Sequence, residues 1–292
     1  MTRRALLAAV SLALAALAPQ AKAGVVINYA NFTGACGASL TCVGNTVVNG
    51  SGDLHLTSAT AGQSGAGYST TAITLGSGAT FSSTFQFRFT NTGGIDPADG
   101  ITFVLSKSSA GLGAAGGGLG YEGVPNSVAI EFDTFWNGGV DPNSNHVAVD
   151  VGGVLSNNAA ASPYGQTDCV NGNNIRPGCM SNGDIWSATV SYDGSTKLLN
   201  VYVQDAGNAL QHLISDYSID LSAALGTNDA FVGFTGATGS GFENQDILNW
   251  QLANDTSLGK PGRLPEPAGL ALLSLAGVAA LAALAAGRRR RA

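Results

Sequence analysis

Residues 131–146 read EFDTFWNGGVDPNSNH and place Glu131, Asp133, Asn137, Asp141 and His146 within sixteen positions. Side chains of these types ligate cations. Carboxylate, amide and backbone oxygens suit a hard ion such as Ca2+. One imidazole among carboxylates and waters suits a softer divalent ion such as Mn2+. Alternation from Val128 to Asp133 puts Glu131 and Asp133 on one strand face, opposite Ile130 and Phe132. Two such carboxylates repel each other, and keeping both ionised is costly without a cation. The loop Asn137-Gly138-Gly139-Val140-Asp141-Pro142 can curl back and return Asn137 and Asp141 to the same point. Asp133 and Asp141 are then placed to bridge two ions. His146 opens the next strand, whose alternation keeps Asp150 on its own face. The competing account is turn chemistry, because Asn, Gly, Asp and Pro populate loops in any protein.

Such a constellation needs a rigid frame. No helical periodicity runs between residue 23 and the C-terminal tail. Short alternating segments separated by turn residues recur instead, which predicts an all-β antiparallel sandwich or barrel. Phe81, Phe85, Phe87 and Phe89 share one parity, as do Ile101, Phe103 and Leu105. HVAVDV, WSATVSYD, LLNVYVQD, AFVGFTG and ILNWQL follow the same rule. The aromatics in these runs are expected in the core between two sheets.

Both ends read as addresses. Residues 1–23 combine Arg3 and Arg4, an apolar run and Ala21-Lys22-Ala23, the pattern of a secretory signal peptide. Residues 253–264 read as a polar linker, and residues 265–292 hold Pro265-Glu266-Pro267, an apolar stretch over 268–286 and Arg288 to Arg291. By length and charge this tail is a membrane anchor with a cytoplasmic positive end. It also resembles the PEP-CTERM sorting signal of Gram-negative bacteria. That resemblance implies an exosortase-type sorting enzyme as partner, a transient or retained inner-membrane association, and delivery to the cell surface, outer membrane or extracellular matrix. Setting residues 1–23 and 265–292 aside leaves 6 basic and 18 acidic residues, a net charge of −12. This balance excludes nucleic acid, whose phosphates demand a basic face. Cys36, Cys42, Cys169 and Cys179 form an even set, read as disulfides in an exported protein. Three pairings are open, and the two local ones are favoured. Neither pair has the CxxC spacing of a zinc site.

The segment VAIEFDTFWNGGVDPNSNHVAVDV resembles the signature of legume-type (L-type) lectins. ADGITFVLS at 98–106, GGGLGY at 116–121 and VGFTGATGSGFENQDILNWQL at 232–252 extend the likeness over most of residues 24–252. The resemblance implies a concanavalin-like antiparallel β-sandwich, or jelly roll, that binds a glycan or polysaccharide. It implies calcium on Asp133, the Phe135 carbonyl, Asn137 and Asp141. A manganese or similar transition ion would lie on Glu131, Asp133, Asp141 and His146, with Ser156 linked to it through water. Sugar would be held by Asp99, Asn137 and a backbone N–H near Gly118, and covered by the Phe135 ring. Ser240 and Gly241 would lie in the loop that selects the sugar. The run of glycines leaves the register at Gly118 open by one or two residues. The Ala98–Asp99 peptide is implied to be cis. Members of this family often dimerise by joining sheets, which admits a homodimer. Gly152 and Gly153, and the segment between Cys169 and Cys179, depart from the family pattern.

Retaining glucanases on a similar sandwich start with the same Glu-x-Asp but need a second catalytic carboxylate further along the strand. Phe135 and Trp136 stand there instead, so the chain reads as a binder rather than an enzyme. A matrix or adhesive protein retaining the metal site is the alternative. His55 and His212 lie outside these motifs and read as structural or surface residues.

Overall fold

A computed structural model describes residues 24–75, 78–155, 164–167, 169 and 175–254. The signal segment, Ser156 and almost all of the linker and tail lie outside the described residues. Among those described, no helix is long and apolar enough to cross a membrane.

The strands run in chain order as β1 (Gly24–Tyr29), β2 (Leu40–Gly44), β3 (Val47–Val48), β4 (Leu54–Thr57), β5 (Ser64–Ser69) and β6 (Ile73–Thr74). The middle of the chain supplies β7 (Phe81–Gly94), β8 (Gly100–Ser106), β9 (Ser127–Asp133), β10 (His146–Val151) and β11 (Tyr164–Gln166). Then follow β12 (Trp186–Asp193), β13 (Leu198–Asp205), β14 (Gln211–Ser218), the short helix α1 (Leu221–Leu225), β15 (Asp229–Ala237) and β16 (Gly241–Asn254). They form two antiparallel sheets, as the alternation predicts. The back sheet is ordered β14-β13-β12-β7-β16-β4-β3, with β1 also on β16. The front sheet is ordered β11-β10-β9-β8-β15-β5-β2, with β6 also on β15.

The core between the sheets is aromatic. Phe85 lies 5.7 Å from Phe103, 5.6 Å from Phe132 and 4.9 Å from Phe234, centroid to centroid. Trp250 packs on Phe234 and Phe87 on Trp186. β7 follows the half-buried pattern: Phe85, Phe87 and Phe89 point inward, with Thr84, Gln86 and Arg88 outward. β8 and β9 are buried at every position, because the front sheet is covered on its outer side as well. There Tyr121 and Val124, from the loop after β8, pack with Ala66, Tyr68, Val104 and Ala129. The Tyr121 hydroxyl and Ser127 Oγ are hydrogen-bonded at 3.0 Å, and Gly153 N–H donates to the Tyr121 hydroxyl. β9 therefore sends Val128, Ile130 and Phe132 into the main core, and Glu131 and Asp133 up beneath a roof of loops.

Disulfides join Cys36 to Cys42 and Cys169 to Cys179, the local pairing expected. Phe85 contacts four other rings of the core, so Phe85→Ala is expected to cost about 3–5 kcal/mol of unfolding free energy. A urea melt checks it, and a loss below about 1 kcal/mol would contradict the packing.

Candidate metal and ligand-binding site

The acidic cluster is assembled by two paired strands. In the β9–β10 register His146 faces Asp133 and Ala148 faces Glu131. His146 Nε2 lies 2.8 Å from Glu131 Oε1, and its Nδ1 lies 3.0 Å from the Asn143 carbonyl. Glu131, Asp133 and His146 are all buried, and their ligand atoms fall within 4.8 Å of one another. The following loop turns back as expected. Asp133 Oδ1 accepts the Phe135 N–H at 2.7 Å, and Asp141 Oδ2 accepts the Asn137 N–H. The Asn137 amide oxygen faces Asp141 Oδ2 at 3.1 Å and the Phe135 carbonyl at 3.3 Å.

That last arrangement bears on metal. With protein atoms alone, rotating the Asn137 amide would let its NH2 donate to both oxygens. The amide, carboxylate and carbonyl thus converge, and the same amide, turned the other way, would offer its oxygen to a hard cation between them. The ionisation of the cluster points the same way. Burial, with the neighbouring carboxylates adding to it, raises Asp133 well above the carboxylate range. Burial also raises Glu131 and Asp141. It lowers His146, so the imidazole does not supply the missing positive charge. The residues present therefore fit a cation at Glu131, Asp133 and His146; Asp141 lies outside that group, and gathers beside it with the Asn137 amide and the Phe135 carbonyl.

Beside this cluster lies Asp99. Asp99 follows a cis Ala98–Asp99 peptide, its N–H donates to the Ala237 carbonyl, and its own carbonyl accepts from Thr134 N–H. Its carboxylate is only 3% exposed, and Oδ2 has no protein partner. Burial lifts the acid to about 7, against a hydrogen bond from the Gly239 N–H that lowers it. Gly100 makes this position accessible to the sheet: at φ +135°, a Cβ there would lie 2.3 Å from the Phe132 carbonyl. Gly116 N–H donates to the Thr238 carbonyl, which ties the Gly-rich loop to the end of β15.

Sequence reasoning placed the backbone donor near Gly118. The structure finds the Gly118 N–H directed to the Ala115 carbonyl at 3.3 Å. It is Gly117 that lies against Asn137: a Cβ there would come 2.5 Å from Asn137 Nδ2 and 2.7 Å from Cγ. Asn137 itself is exposed and Phe135 half-buried. Ser240 is exposed at the rim, where its carbonyl accepts the Ile95 N–H, and Gly241 is buried against Asp96. Ser156 lies outside the described residues.

Three further residues carry no local motif. Glu243 is fully buried and accepts the Thr134 hydroxyl at 3.1 Å; burial lifts it to about 8, with Asp99 and Asp96 adding to the shift. Ser181, next to the second disulfide, is buried beside the same carboxylate. Asn145 Oδ1 accepts the Met180 N–H at 2.9 Å, so the disulfide loop is tied to the metal loop. On the back sheet, His55 Nδ1 meets Asp246 Oδ1 at 2.6 Å and its Nε2 meets Ser58 Oγ at 3.0 Å. This trio resembles a nucleophile–base–acid relay. However, the N–H groups of Ser58 and Ala59, where an oxyanion would bind, donate to Gln63 Oε1 and Asn244 Oδ1. The trio is a clamp between β4 and β16.

Two expectations follow. Asp99 and Glu243 have folded values near 7 and 8 against about 4 in an unfolded chain. Their stabilising contribution is complete below pH about 4 and is lost as pH rises through 7–8. Metal-stripped protein should therefore melt lower at pH 8 than at pH 5, by on the order of a few kcal/mol, and Ca2+ with Mn2+ should restore most of the loss at pH 8. A melting temperature independent of pH and of metal would contradict this. Separately, Gly117→Ala should displace Asn137 and weaken calcium binding by about tenfold or more, read by calorimetry. Gly139→Ala, where a Cβ meets nothing within 4 Å, should leave it unchanged.

Comparison with known proteins completes the picture. The legume lectin domain matches residues 25–264, somewhat past the boundary at 252 expected from the sequence. The lectin alpha chain of Lablab purpureus is 30% identical over 230 residues, covering 72% of this chain and 75% of its own. An L-type lectin-domain containing receptor kinase of Arabidopsis thaliana, VIII.1, is 34% identical over 195 residues, covering 64% of this chain. The chain spans about a quarter of that relative, 26% of its length. The basic winged bean lectin solved with Tn-antigen superimposes with a TM-score of 0.64 at 25% identity, covering 81% of this chain and 98% of that one. Sandwich and matched span agree: the chain belongs to the legume lectin family, whose domains bind carbohydrate and are not enzymes.

Proposed function

We propose that this chain is an exported lectin whose glycan binding depends on calcium and is assisted by a second, manganese-like ion. The observation that carries the reading is the convergence of the Asn137 amide oxygen, the Asp141 carboxylate and the Phe135 carbonyl beside the Glu131–Asp133–His146 cluster. When bound, calcium supplies fixed positive charge that holds these oxygens in place. A sugar is neutral and well hydrated, so the site must offer polar partners already oriented to replace water. Asp99 accepts sugar hydroxyls, Asn137 Nδ2 and the Gly117 N–H donate to them, and the Phe135 ring covers an apolar face of the sugar. Ser240 and Gly241, at the rim, take part in choosing the sugar.

Galactose-type sugars are the first probes. Structural neighbours include the basic winged bean lectin with Tn-antigen and a lectin from Bauhinia forficata in complex with GalNAc. Export rests on the residue pattern of 1–23, and delivery to the bacterial surface or its polysaccharide on the sorting-signal resemblance of 265–292. An exosortase-type enzyme and the inner membrane would be its partners on that route. A glycan array with and without EDTA tests the reading. Signal on defined glycans should vanish in EDTA and return with Ca2+, and Asp99→Ala should lower affinity by about a hundredfold or more. Binding that persists unchanged in EDTA would overturn the calcium dependence.

A further inference from the structure

Four Asn-Gly pairs occur in the chain, at Asn49, Asn137, Asn171 and Asn182. Asparagine is among the chemically labile side chains. Its weak point is the backbone nitrogen of the following residue, which can attack the side-chain Cγ and displace the amide. A glycine there has no Cβ to shield that nitrogen or to hinder the rotation that brings it round. Asn171 lies outside the described residues, which leaves three pairs to compare.

Two are locked. Asn49 Nδ2 donates to Asp53 Oδ2 at 3.2 Å and to Asp246 Oδ1 at 3.4 Å, and its Oδ1 accepts the Ser51 and Asp53 N–H groups. Asn182 Nδ2 donates to Asp184 Oδ2 at 3.0 Å and to Asp205 Oδ2 at 3.2 Å, and its Oδ1 accepts the Asp184 N–H and the Trp186 indole N–H. Each amide is bonded at both atoms and tied to a strand of the back sheet. Asn137 is held differently. In one orientation its amide makes no hydrogen bond; in the other its nitrogen donates to Asp141 Oδ2 at 3.1 Å and to the Phe135 carbonyl at 3.3 Å. Both partners belong to its own loop. Asn137 is exposed, whereas Asn49 and Asn182 are half-buried. Gly138 and Gly139 follow, where an added Cβ would meet no atom within 4 Å. The turn is closed by the Asn137 N–H on Asp141 Oδ2 and the Asp141 N–H on the Gly138 carbonyl. Both bonds pass through Asp141, so release of that one residue opens the turn.

We propose that Asn137–Gly138 is a self-modification site, at which the metal-free chain converts Asn137 to aspartate and isoaspartate, and that a cation on Asp141 and the Asn137 amide suppresses the conversion by holding the loop closed. The Gly138 nitrogen gives its proton to a solvent base and attacks Asn137 Cγ. The N–Cγ bond forms, the Cγ–Nδ2 bond breaks, and Nδ2 takes up a proton and leaves as ammonia. Water then opens the cyclic imide, its hydroxyl going to a carbonyl carbon and its proton to the nitrogen. Opening at Cγ gives aspartate, and opening at the main-chain carbon gives isoaspartate, which lengthens the backbone by a methylene. Either product sets another carboxylate beside Asp141, in a span from Lys107 to Arg176 with no Lys or Arg between its ends. Either also lacks the Nδ2 donor, so glycan binding ends irreversibly; that consequence and the cation's protection rest on the function proposed above.

The full chain, kept in mildly alkaline buffer with EDTA or with Ca2+ and Mn2+, tests this by chymotryptic peptide mapping, with isoaspartate detected by enzymatic methyl transfer. In EDTA, Asn137 should convert about fivefold or more faster than Asn49 or Asn182, and the two cations should remove that difference. Gly138→Ala should slow the conversion by about tenfold. Once metal is restored, glycan binding should have fallen in proportion to conversion. Asn49 or Asn182 converting as fast as Asn137, or a rate at Asn137 indifferent to both cations, would overturn the proposal. Glycan binding that survives full conversion would overturn its consequence. Conversion with the expected pattern in a chain that binds no glycan would leave the modification standing and remove the lectin reading.

Discussion

The fold sets several carboxylates into one buried corner with a single imidazole and no lysine or arginine. Glu131, Asp133 and His146 share the outer face of the front sheet, Asp141 returns to them from the loop, and Asp99 is close enough to push up the pKa of both Asp133 and Glu243. In water such groups would simply ionise. Here burial holds them toward the neutral form, and the cost of ionising them together is what a divalent cation offsets. The proposed metal and ligand functions therefore share one electrostatic cause. The proposed cations are conditions for the loop to keep the shape in which Asn137 and Asp99 present themselves.

The sandwich supports that corner by closing it on both sides. Ile130 and Phe132 anchor β9 in the aromatic core while Glu131 and Asp133 point away from it, so the strand cannot roll without exposing rings. Above, the loop through Tyr121 and Val124 covers the front sheet, and the Thr235 hydroxyl donates to the Leu119 carbonyl at 2.8 Å to hold that loop down. Glu243 reaches from β16 to Thr134, and Met180 reaches from the disulfide loop to Asn145. Four sequence-distant segments thus meet at residues that flank the ligands rather than at the ligands themselves.

What was legible in the sequence follows from distance along the chain. Glu131, Asp133, Asn137, Asp141 and His146 lie in one strand–loop–strand unit, so alternation alone puts them together. The two sheets and the core rings follow from period-two patterning, and the two disulfides are local. Asp99 was visible only through the family motif, since nothing in its own neighbourhood points to residue 137. The register of the glycine loop stayed open by one or two residues because a run of glycines has no register of its own; in the structure Gly117 is the glycine that lies against Asn137. Glu243 and Thr134 are 109 residues apart, and His55 and Asp246 are 191 apart. Neither pair has a local signal, and His55, read as structural, proved to hold β4 to β16.

The end of β9 also explains why this corner binds rather than cuts. A retaining glycanase would continue the Glu131–Asp133 face with a second acid able to protonate the leaving oxygen. The next residue of that parity is Phe135, and the intervening Thr134 spends its hydroxyl on Glu243. Of the acids near the site, Glu131 and Asp133 belong to the metal cluster, and Glu243 is fully buried beneath it. Asp99 Oδ2 and Glu243 Oε2 both lack a protein hydrogen-bond partner, but Glu243 is closed off from solvent. One carboxylate can accept hydroxyls but cannot serve as both nucleophile and proton donor. In the reading proposed above, Phe135, standing where that acid would be, offers a ring to lay sugar on in place of a hydrolytic layout.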